Sequence, residues 1–276
     1  MKSVRWSRRC SPRRRNKKLT HTFPARAYTG QERRESPVMR KRLLLTAAAV
    51  LLAVMMGFLL YASVYYHADE AAREALRSDE RVAVSQTGYG VFFDGPADDA
   101  ALIFYPGAKV EAEAYAPLLR RLAAGGLDVC LVRMPLRMAF LGQNRADAVM
   151  AAHSYAHWYI GGHSLGGSVA ALYAADNSEA VEGLVLCAAY PTKPLDEKLV
   201  EVSLTGSEDH VISRARQESG LAFAPANSAV YVIEGGNHAQ FGSYGAQKGD
   251  GAALIPPEQQ WDETAADILA TLGRAA

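Results

Sequence analysis

The hydrophobic pattern of the chain is dominated by one uncharged apolar run at residues 43–61, LLLTAAAVLLAVMMGFLLY. A surface helix of a soluble domain keeps a polar face, whereas this run is apolar on every side. Its 19 residues are enough to cross the hydrocarbon core of a bilayer, which is about 30 Å thick. We therefore expect a single-pass transmembrane anchor over residues 43–66, with Tyr65 and Tyr66 at the membrane interface.

After the anchor, short apolar runs alternate with segments of helical periodicity. The apolar runs lie at residues 90–94, 101–106, 127–134, 157–162, 183–190, 200–206 and 230–236. Several are continuous rather than alternating, which is typical of parallel strands covered on both faces. Helical spacing marks residues 113–126, 145–155, 165–176 and 258–272. The pattern predicts an α/β domain over residues 86–276, with a mostly parallel central sheet flanked by helices, after a polar stalk at 67–85.

Charge divides the 276 residues into two unlike parts. Residues 1–42 hold 15 Lys and Arg against two acidic residues, whereas the remainder carries 15 basic and 27 acidic residues. We expect residues 1–42 to be a basic, disordered segment. Met39 followed by Arg40, Lys41 and Arg42 is by itself a complete positively charged start for the anchor, so residues 1–38 can also be a mis-assigned start.

The basic cluster directly before the apolar run also predicts the topology. By the positive-inside rule, Arg40, Lys41 and Arg42 place the N-terminus in the cytoplasm and the body on the outer side of the cell membrane. The alternative is a cleaved signal peptide and a secreted body, but no small-residue pair suited to a signal peptidase follows the run. The acidic body argues against a nucleic-acid partner.

Nothing in the sequence indicates a metal or an organic cofactor. The chain has no P-loop and no G-x-G-x-x-G element, and Cys10, Cys130 and Cys187 lack the spacing of a zinc site. His153 and His157 are four residues apart, but their context favours histidines of the core or surface over metal ligands.

The pattern G-x-S-x-G occurs at the junction of a predicted strand and a predicted helix, in GGHSLGGS. Here Gly162, His163, Ser164, Leu165 and Gly166 would form a nucleophile elbow, a turn too tight for side chains at its flanking positions. Such a turn exposes the serine hydroxyl at the top of the sheet. Ser164 is therefore the candidate nucleophile, although glycines at this junction can also serve close packing alone.

A serine nucleophile needs a base, and the base needs a carboxylate that orients it. Asp209 follows the apolar run at 200–206, and His238 follows the run at 230–236 within the glycine-rich stretch GGNHAQFGSYG. The chain order serine, aspartate, histidine is the one expected in this kind of sheet. Glu208 remains an alternative acid and His210 an alternative base.

A tetrahedral intermediate also requires hydrogen-bond donors for its oxyanion. The backbone N–H of Leu165, directly after the serine, is the first candidate. The second is the N–H of Ala108, in the loop after the apolar run at 101–106. Lys109 beside it is either simply solvated or attracts acidic substrates by its positive charge.

Five stretches carry a resemblance to a known family: FYPGAKVEAEAY, GGHSLGGSVAA, GLVLCAAYP, LTGSEDHV and EGGNHAQFGSYGAQKGDG. Over residues 95–273 the chain resembles the α/β-hydrolase superfamily, specifically the small fold-5 branch related in shape to dienelactone hydrolases. The resemblance implies a serine hydrolase that cleaves an ester or related acyl bond of a small molecule with Ser164, Asp209 and His238, without a cofactor. The short connection PTKPLDEKLV implies a minimal or absent lid.

Two other functions remain open on the same residues. An acyltransferase would use the same triad and differ only in the nucleophile that resolves the acyl-enzyme. A catalytically idle hydrolase fold would instead bind a partner at the cell surface.

Overall fold

The computed structural model describes residues 37–274. The predictions for residues 1–36, which include most of the basic segment, lie outside the described residues. The chain divides into two compact units, Met1–Leu51 and Leu52–Ala276.

Helix α1 spans Pro37–Ser63 and begins in the first unit. Its side chains are exposed throughout residues 38–57. The segment Val38–Ser63 contains an 18-residue window with a mean hydropathy of 2.6, and it is long and apolar enough to cross a membrane. By length and composition, α1 is therefore a candidate membrane span.

An eight-stranded sheet forms the centre of the second unit, in the order β1-β2-β4-β3-β5-β6-β7-β8. β1 and β2 pair in antiparallel fashion, and β2 is antiparallel to β4. All the remaining pairs are parallel. The strands are β1 Ala83–Gln86, β2 Gly90–Asp94, β3 Ala100–Tyr105, β4 Asp128–Val132, β5 His157–His163, β6 Gly183–Cys187, β7 Val200–Gly206 and β8 Ala229–Ile233.

Helices cover both faces of this sheet, so β3, β4 and β6 are buried along their whole length. One apolar core contains residues of α3 and α7, such as Leu118 and Ile268, and the other contains residues of α5, such as Tyr173. The α/β architecture with a mostly parallel sheet is thus confirmed. The further helices of the second unit are α2 Glu70–Ala75, α3 Ala116–Ala124, α4 Arg145–Met150, α5 Leu165–Asp176, α6 Arg214–Leu221 and α7 Pro257–Thr271.

Three elements were not predicted from the pattern. Helix α2 and all of strand β1 except Gln86 lie within the range that the sequence predicts as a stalk, and α6 is a polar, mostly exposed helix. In α2 only Ala72 is buried, and its N–H is capped by the Asp69 carboxylate at 3.2 Å. Helices α2 and α6 have one buried residue each and β1 has none, which is too weak a signal for periodicity to detect.

The last three residues of α1 and the connection to α2, which together we call the exit segment (residues 61–69), bind to the loops at the carboxyl ends of the strands. Tyr66 N–H donates to the Lys109 carbonyl at 2.7 Å, and Glu111 N–H donates to the Tyr66 carbonyl at 2.9 Å. Asp69 N–H donates to the Ser243 carbonyl at 3.0 Å. The chain that leaves α1 is therefore attached to the folded domain by backbone hydrogen bonds.

Candidate active site

Ser164 lies where β5 ends and α5 begins, in a backbone conformation that side chains rarely adopt. Its φ is 52° and its ψ is −124°. A non-glycine residue in such a region costs of order 1–3 kcal/mol and is held there by its surroundings. The Ser164 N–H donates to the Cys187 carbonyl at 2.9 Å, which fixes this turn against β6.

The glycines on either side of Ser164 allow a close approach of β3. A Cβ atom on Gly166 would lie 2.2 Å from the Tyr105 carbonyl oxygen and 2.3 Å from that of Pro106. On Gly162 it would lie 2.4 Å from the Tyr105 carbonyl oxygen. All three distances are far below contact distance, so the turn has no room for side chains at these positions.

Asp209 and His238 come from separate turns, after β7 and β8, and meet through a buried hydrogen bond. His238 Nδ1 lies 2.8 Å from Asp209 Oδ2, and both side chains are almost completely buried. The other carboxylate oxygen, Oδ1, accepts from the N–H groups of Val211 at 2.8 Å and Ile212 at 2.9 Å. The carboxylate is thus held by backbone, and its acceptor oxygen assigns the proton of His238 to Nδ1. This leaves Nε2 of His238 as an acceptor.

The surroundings of Asp209 favour its ionised form. Burial by itself raises the pKa of the carboxyl, but the hydrogen bond and charge of His238 and the two backbone donors outweigh it. The pKa of Asp209 is consequently lowered from its ordinary value. A carboxylate that stays charged can orient an imidazole and stabilise its protonated form.

Ser164 and His238 line the same pocket, which has a volume of about 260 Å³. Leu165, Tyr190 and Arg216 also line it. Ser164 is half-buried, and its hydroxyl makes no hydrogen bond within residues 37–274. The connection from β6 to β7 contains no helix, so this side of the pocket is not covered by a helical lid.

One candidate oxyanion donor lies at the start of α5 and the other in the loop after β3. Neither the N–H of Leu165 nor that of Ala108 makes a hydrogen bond to any described residue. Gly107, between Pro106 and Ala108, instead donates its N–H to the Tyr115 hydroxyl at 3.0 Å. Lys109 has a φ of 58°, and its ammonium group lies 3.9 Å from the centre of the Tyr61 ring.

The alternative site residues lie elsewhere. Glu208 accepts a hydrogen bond from the Ser207 hydroxyl at 3.0 Å, and His210 is exposed. His153 Nε2 lies 2.8 Å from the Tyr89 hydroxyl, and His157 Nδ1 lies 2.9 Å from a Glu182 oxygen. In the part of the chain that the structure describes, no cluster of three or more His, Cys, Asp and Glu residues could hold a metal ion.

One contact of this site was not predicted from the sequence. His163, assigned only to the turn before Ser164, is completely buried, and its ring centre lies 4.5 Å from that of His238. Its Nδ1 lies 2.8 Å from the Tyr115 hydroxyl. Burial, followed by the charge of His238, holds the pKa of His163 well below its ordinary value. The only sequence signal for this role was an ionisable residue at the end of an apolar strand.

A parallel sheet with a strained serine between a strand and a helix, and with a buried Asp–His pair beyond the next strands, defines the class of α/β hydrolases. The sequence profile of the alpha/beta hydrolase family matches residues 101–262. The chain belongs to this family, as the resemblance in its motifs implied. No curated protein matches the sequence.

Solved structures show the same fold at low sequence identity. A membrane phospholipase A, described as a bacterial virulence factor, is 14% identical with a TM-score of 0.53, over 86% of this chain and 97% of its own. A dienelactone hydrolase from Anabaena variabilis is 11% identical with a TM-score of 0.51, over 69% of this chain and 99% of its own. At these identities the similarity establishes the fold alone.

Proposed function

We propose that this protein is a membrane-anchored serine hydrolase that cleaves an ester or related acyl bond through an acyl-enzyme on Ser164. The observation that carries the proposal is the buried 2.8 Å hydrogen bond between His238 and Asp209, beside a pocket that Ser164 also lines. The strained backbone of Ser164 supports the same role, because such strain persists where the surroundings hold a residue for function.

The residues divide the chemistry as follows. His238 Nε2 takes the proton of the Ser164 hydroxyl while Oγ attacks the carbonyl carbon, and Asp209 orients the imidazole and stabilises its charged form. The N–H groups of Leu165 and Ala108 donate to the developing oxyanion. Collapse of the tetrahedral intermediate breaks the bond to the leaving alcohol, which receives the proton from His238. Water, deprotonated by His238, then attacks the acyl carbon and releases the acid and Ser164.

An active-site probe tests this assignment directly. The detergent-solubilised full chain should be labelled by a fluorophosphonate, and Ser164→Ala should abolish the labelling. Ser168→Ala is the matched control, because Ser168 lines the same pocket and its hydroxyl donates to the Tyr190 carbonyl at 3.3 Å. Labelling that persists in Ser164→Ala, or its absence in the wild type, would refute the proposal.

The same probe separates the rival functions. A catalytically idle binding module would not react with the probe, because its Ser164 hydroxyl would not be activated for attack by a base. An acyltransferase would react, but added alcohol would take up most of the acyl group in place of water. We favour hydrolysis because the connection from β6 to β7 contains no helix, so that side of the pocket has no helical lid to exclude water from the acyl-enzyme.

We further propose that α1 anchors the domain on the outer side of the cell membrane, with Arg40, Lys41 and Arg42 in the cytoplasm. Leu254 is 75% exposed, so Leu254→Cys provides a reporter. In a Cys10→Ser background, an impermeant maleimide should label this variant in intact cells, whereas the buried Cys130 and Cys187 should stay unlabelled. Labelling that appears only after cell lysis would place the domain in the cytoplasm.

A further inference from the structure

The loop between β4 and α4, which we call the rim loop (residues 134–142), exposes three large apolar side chains. Leu136 is 41% exposed, Phe140 51% and Leu141 44%. Met134 and Met138 of the same loop are buried, so the loop is packed against the domain while Leu136, Phe140 and Leu141 face outward. A concentration of exposed apolar residues in one short loop is typical of a surface that contacts another apolar phase.

The backbone of the rim loop is held in this arrangement. Leu136 and Arg137 have φ values of 51° and 57°, a left-handed conformation that costs energy for residues with side chains. The Arg137 carbonyl accepts a hydrogen bond from Lys109 N–H at 3.0 Å. The rim loop is therefore fastened to the loop that carries the candidate oxyanion donor Ala108.

The exit segment binds at the same place. The guanidinium group of Arg137 lies 3.3 Å from the centre of the Tyr65 ring, and the Lys109 ammonium group lies 3.9 Å from that of Tyr61. Helix α1 ends at Ser63. Two residues of chain span at most about 7 Å, so the rim loop lies within a short distance of the end of the candidate membrane span.

The chemistry around the rim loop is that of a membrane interface. Tyrosines at the end of a span favour the headgroup layer, and lysine and arginine beside them attract lipid phosphates. Tyr61 and Tyr65 are the tyrosines at the end of the span, and Lys109 and Arg137 are the basic residues beside them. A bilayer is the occupant that fits best, because the loop is attached beside the anchor and its charges are opposite to those of anionic headgroups.

The rim loop also borders a groove beside the loop that carries the proposed oxyanion donor. The groove has a volume of about 380 Å³, and its lining is partly apolar and partly charged: Pro106, Val110, Met134 and Leu136, with Glu111, Glu113, Arg133 and Arg137. A chain lying in this groove would pass beside the proposed oxyanion donor.

We propose that the rim loop is immersed in the interfacial layer of the membrane and that the site acts on an ester resident in that layer. This inference rests on the proposed hydrolase function and on α1 as the anchor. It gives the site a substrate class, a bilayer-borne amphiphilic ester, and gives Leu136, Phe140 and Leu141 a role in reaching it.

Immersion can be measured without catalysis. The full chain is reconstituted in phosphatidylcholine vesicles that contain a brominated phosphatidylcholine, with tryptophan introduced as Phe140→Trp or, for comparison, as Val232→Trp. Val232 is 58% exposed on β8, five strands from β4 in the sheet. The fluorescence added by Phe140→Trp should be quenched strongly and that added by Val232→Trp weakly. Equal quenching of the two would overturn the immersion of the rim loop.

The second measurement compares two substrates in the same vesicles. Phe140→Ser combined with Leu141→Ser should slow hydrolysis of methylumbelliferyl oleate by about tenfold, the loss expected when two anchoring side chains no longer enter the interface. Hydrolysis of water-soluble p-nitrophenyl acetate should stay within about twofold of wild type. Leu221→Ser is the matched control, because Leu221 is 45% exposed, close to the value of Leu141, and lies on α6.

The outcomes distinguish the inference from the function on which it rests. A wild type that hydrolyses neither ester would refute the proposed function, while the quenching experiment would still decide whether the loop is immersed. An equal loss on both esters, or no loss on either, would mean that the rim loop has no role in reaching a membrane substrate.

Discussion

The imidazole of His163 lies against that of His238, with 4.5 Å between the two ring centres. His163 Nδ1 is in turn 2.8 Å from the Tyr115 hydroxyl, which accepts the N–H of Gly107 at 3.0 Å. Because that hydroxyl accepts from Gly107 and burial raises its pKa, its proton is available to His163 Nδ1. A buried chain of contacts therefore joins the proposed base to the loop of the proposed oxyanion donor.

Replacing His163 should weaken catalysis without abolishing it. We expect His163→Phe, which keeps a ring but removes the acceptor for Tyr115, to lower kcat by about tenfold through a displaced His238 and Gly107. His163→Asn restores an acceptor near Nδ1 and should recover part of that loss. Steady-state kinetics on a soluble ester measure both variants.

A purely structural role of His163 would give a different result. In that case the Phe and Asn variants would lose kcat in proportion to their loss of stability, whatever their hydrogen-bonding capacity. Tyr115→Phe serves as the companion variant, because it removes the hydroxyl from both Gly107 and His163 and leaves the ring in place.

The buried, neutral His163 should also make the protein sensitive to acid. Its folded-state pKa is depressed, so below the unfolded pKa of about 6.5 the unfolded chain binds a proton that the folded chain does not. Stability is therefore complete above that pH and falls by at most about 1.4 kcal/mol per pH unit below it. We expect the Tm of the detergent-solubilised wild type to fall more than that of His163→Asn between about pH 7 and pH 5. Parallel Tm curves for the two proteins would contradict a neutral His163.

Neutralising Asp209 should cost far more activity than neutralising its neighbour. Asp209→Asn leaves the geometry nearly intact but no longer favours the proton on His238 Nδ1, so we expect kcat to fall by about 10³- to 10⁴-fold. Glu208→Gln should stay within about twofold of wild type, since Glu208 contacts Ser207 instead of His238. If Glu208→Gln is the more damaging change, the assignment of the acid is wrong.

The depressed pKa of Asp209 also has a consequence for stability. Its ionised form contributes stability at every pH above the unfolded value of about 3.9, and this contribution is lost as the pH falls through the lower folded value. The unfolding free energy of Asp209→Asn should accordingly approach that of the wild type only in strong acid.

A methyl group on Gly166 should disrupt the turn that carries Ser164. The added Cβ would lie 2.2 Å from the Tyr105 carbonyl oxygen, so α5 and β3 must move apart. We expect Gly166→Ala to destabilise the domain by about 2–4 kcal/mol and to reduce fluorophosphonate labelling. Gly88→Ala is the control, because a Cβ there meets no atom within 4 Å. Thermal unfolding and labelling of both variants decide the matter.

The sequence alone determined the features that depend on neighbouring residues. The uniform apolarity of residues 43–61, the alternation of strands and helices, and the glycines around Ser164 are all local signals. They predicted α1, seven of the eight strands and the position of the turn at Ser164. The elements that were missed, α2, β1 and α6, are short or polar, and their conformation depends on contacts with the rest of the domain.

Only the tertiary structure could decide what brings distant residues together. Tyr115 and His163 are 48 positions apart, and the carboxylate of Asp209 rather than that of Glu208 reaches His238 because two backbone N–H groups hold it in that orientation. The contacts of the exit segment with Lys109 and Arg137 likewise join residues that are far apart in the sequence. Periodicity reports which face of an element is buried, whereas these contacts depend on how the loops at the carboxyl ends of the strands pack against one another.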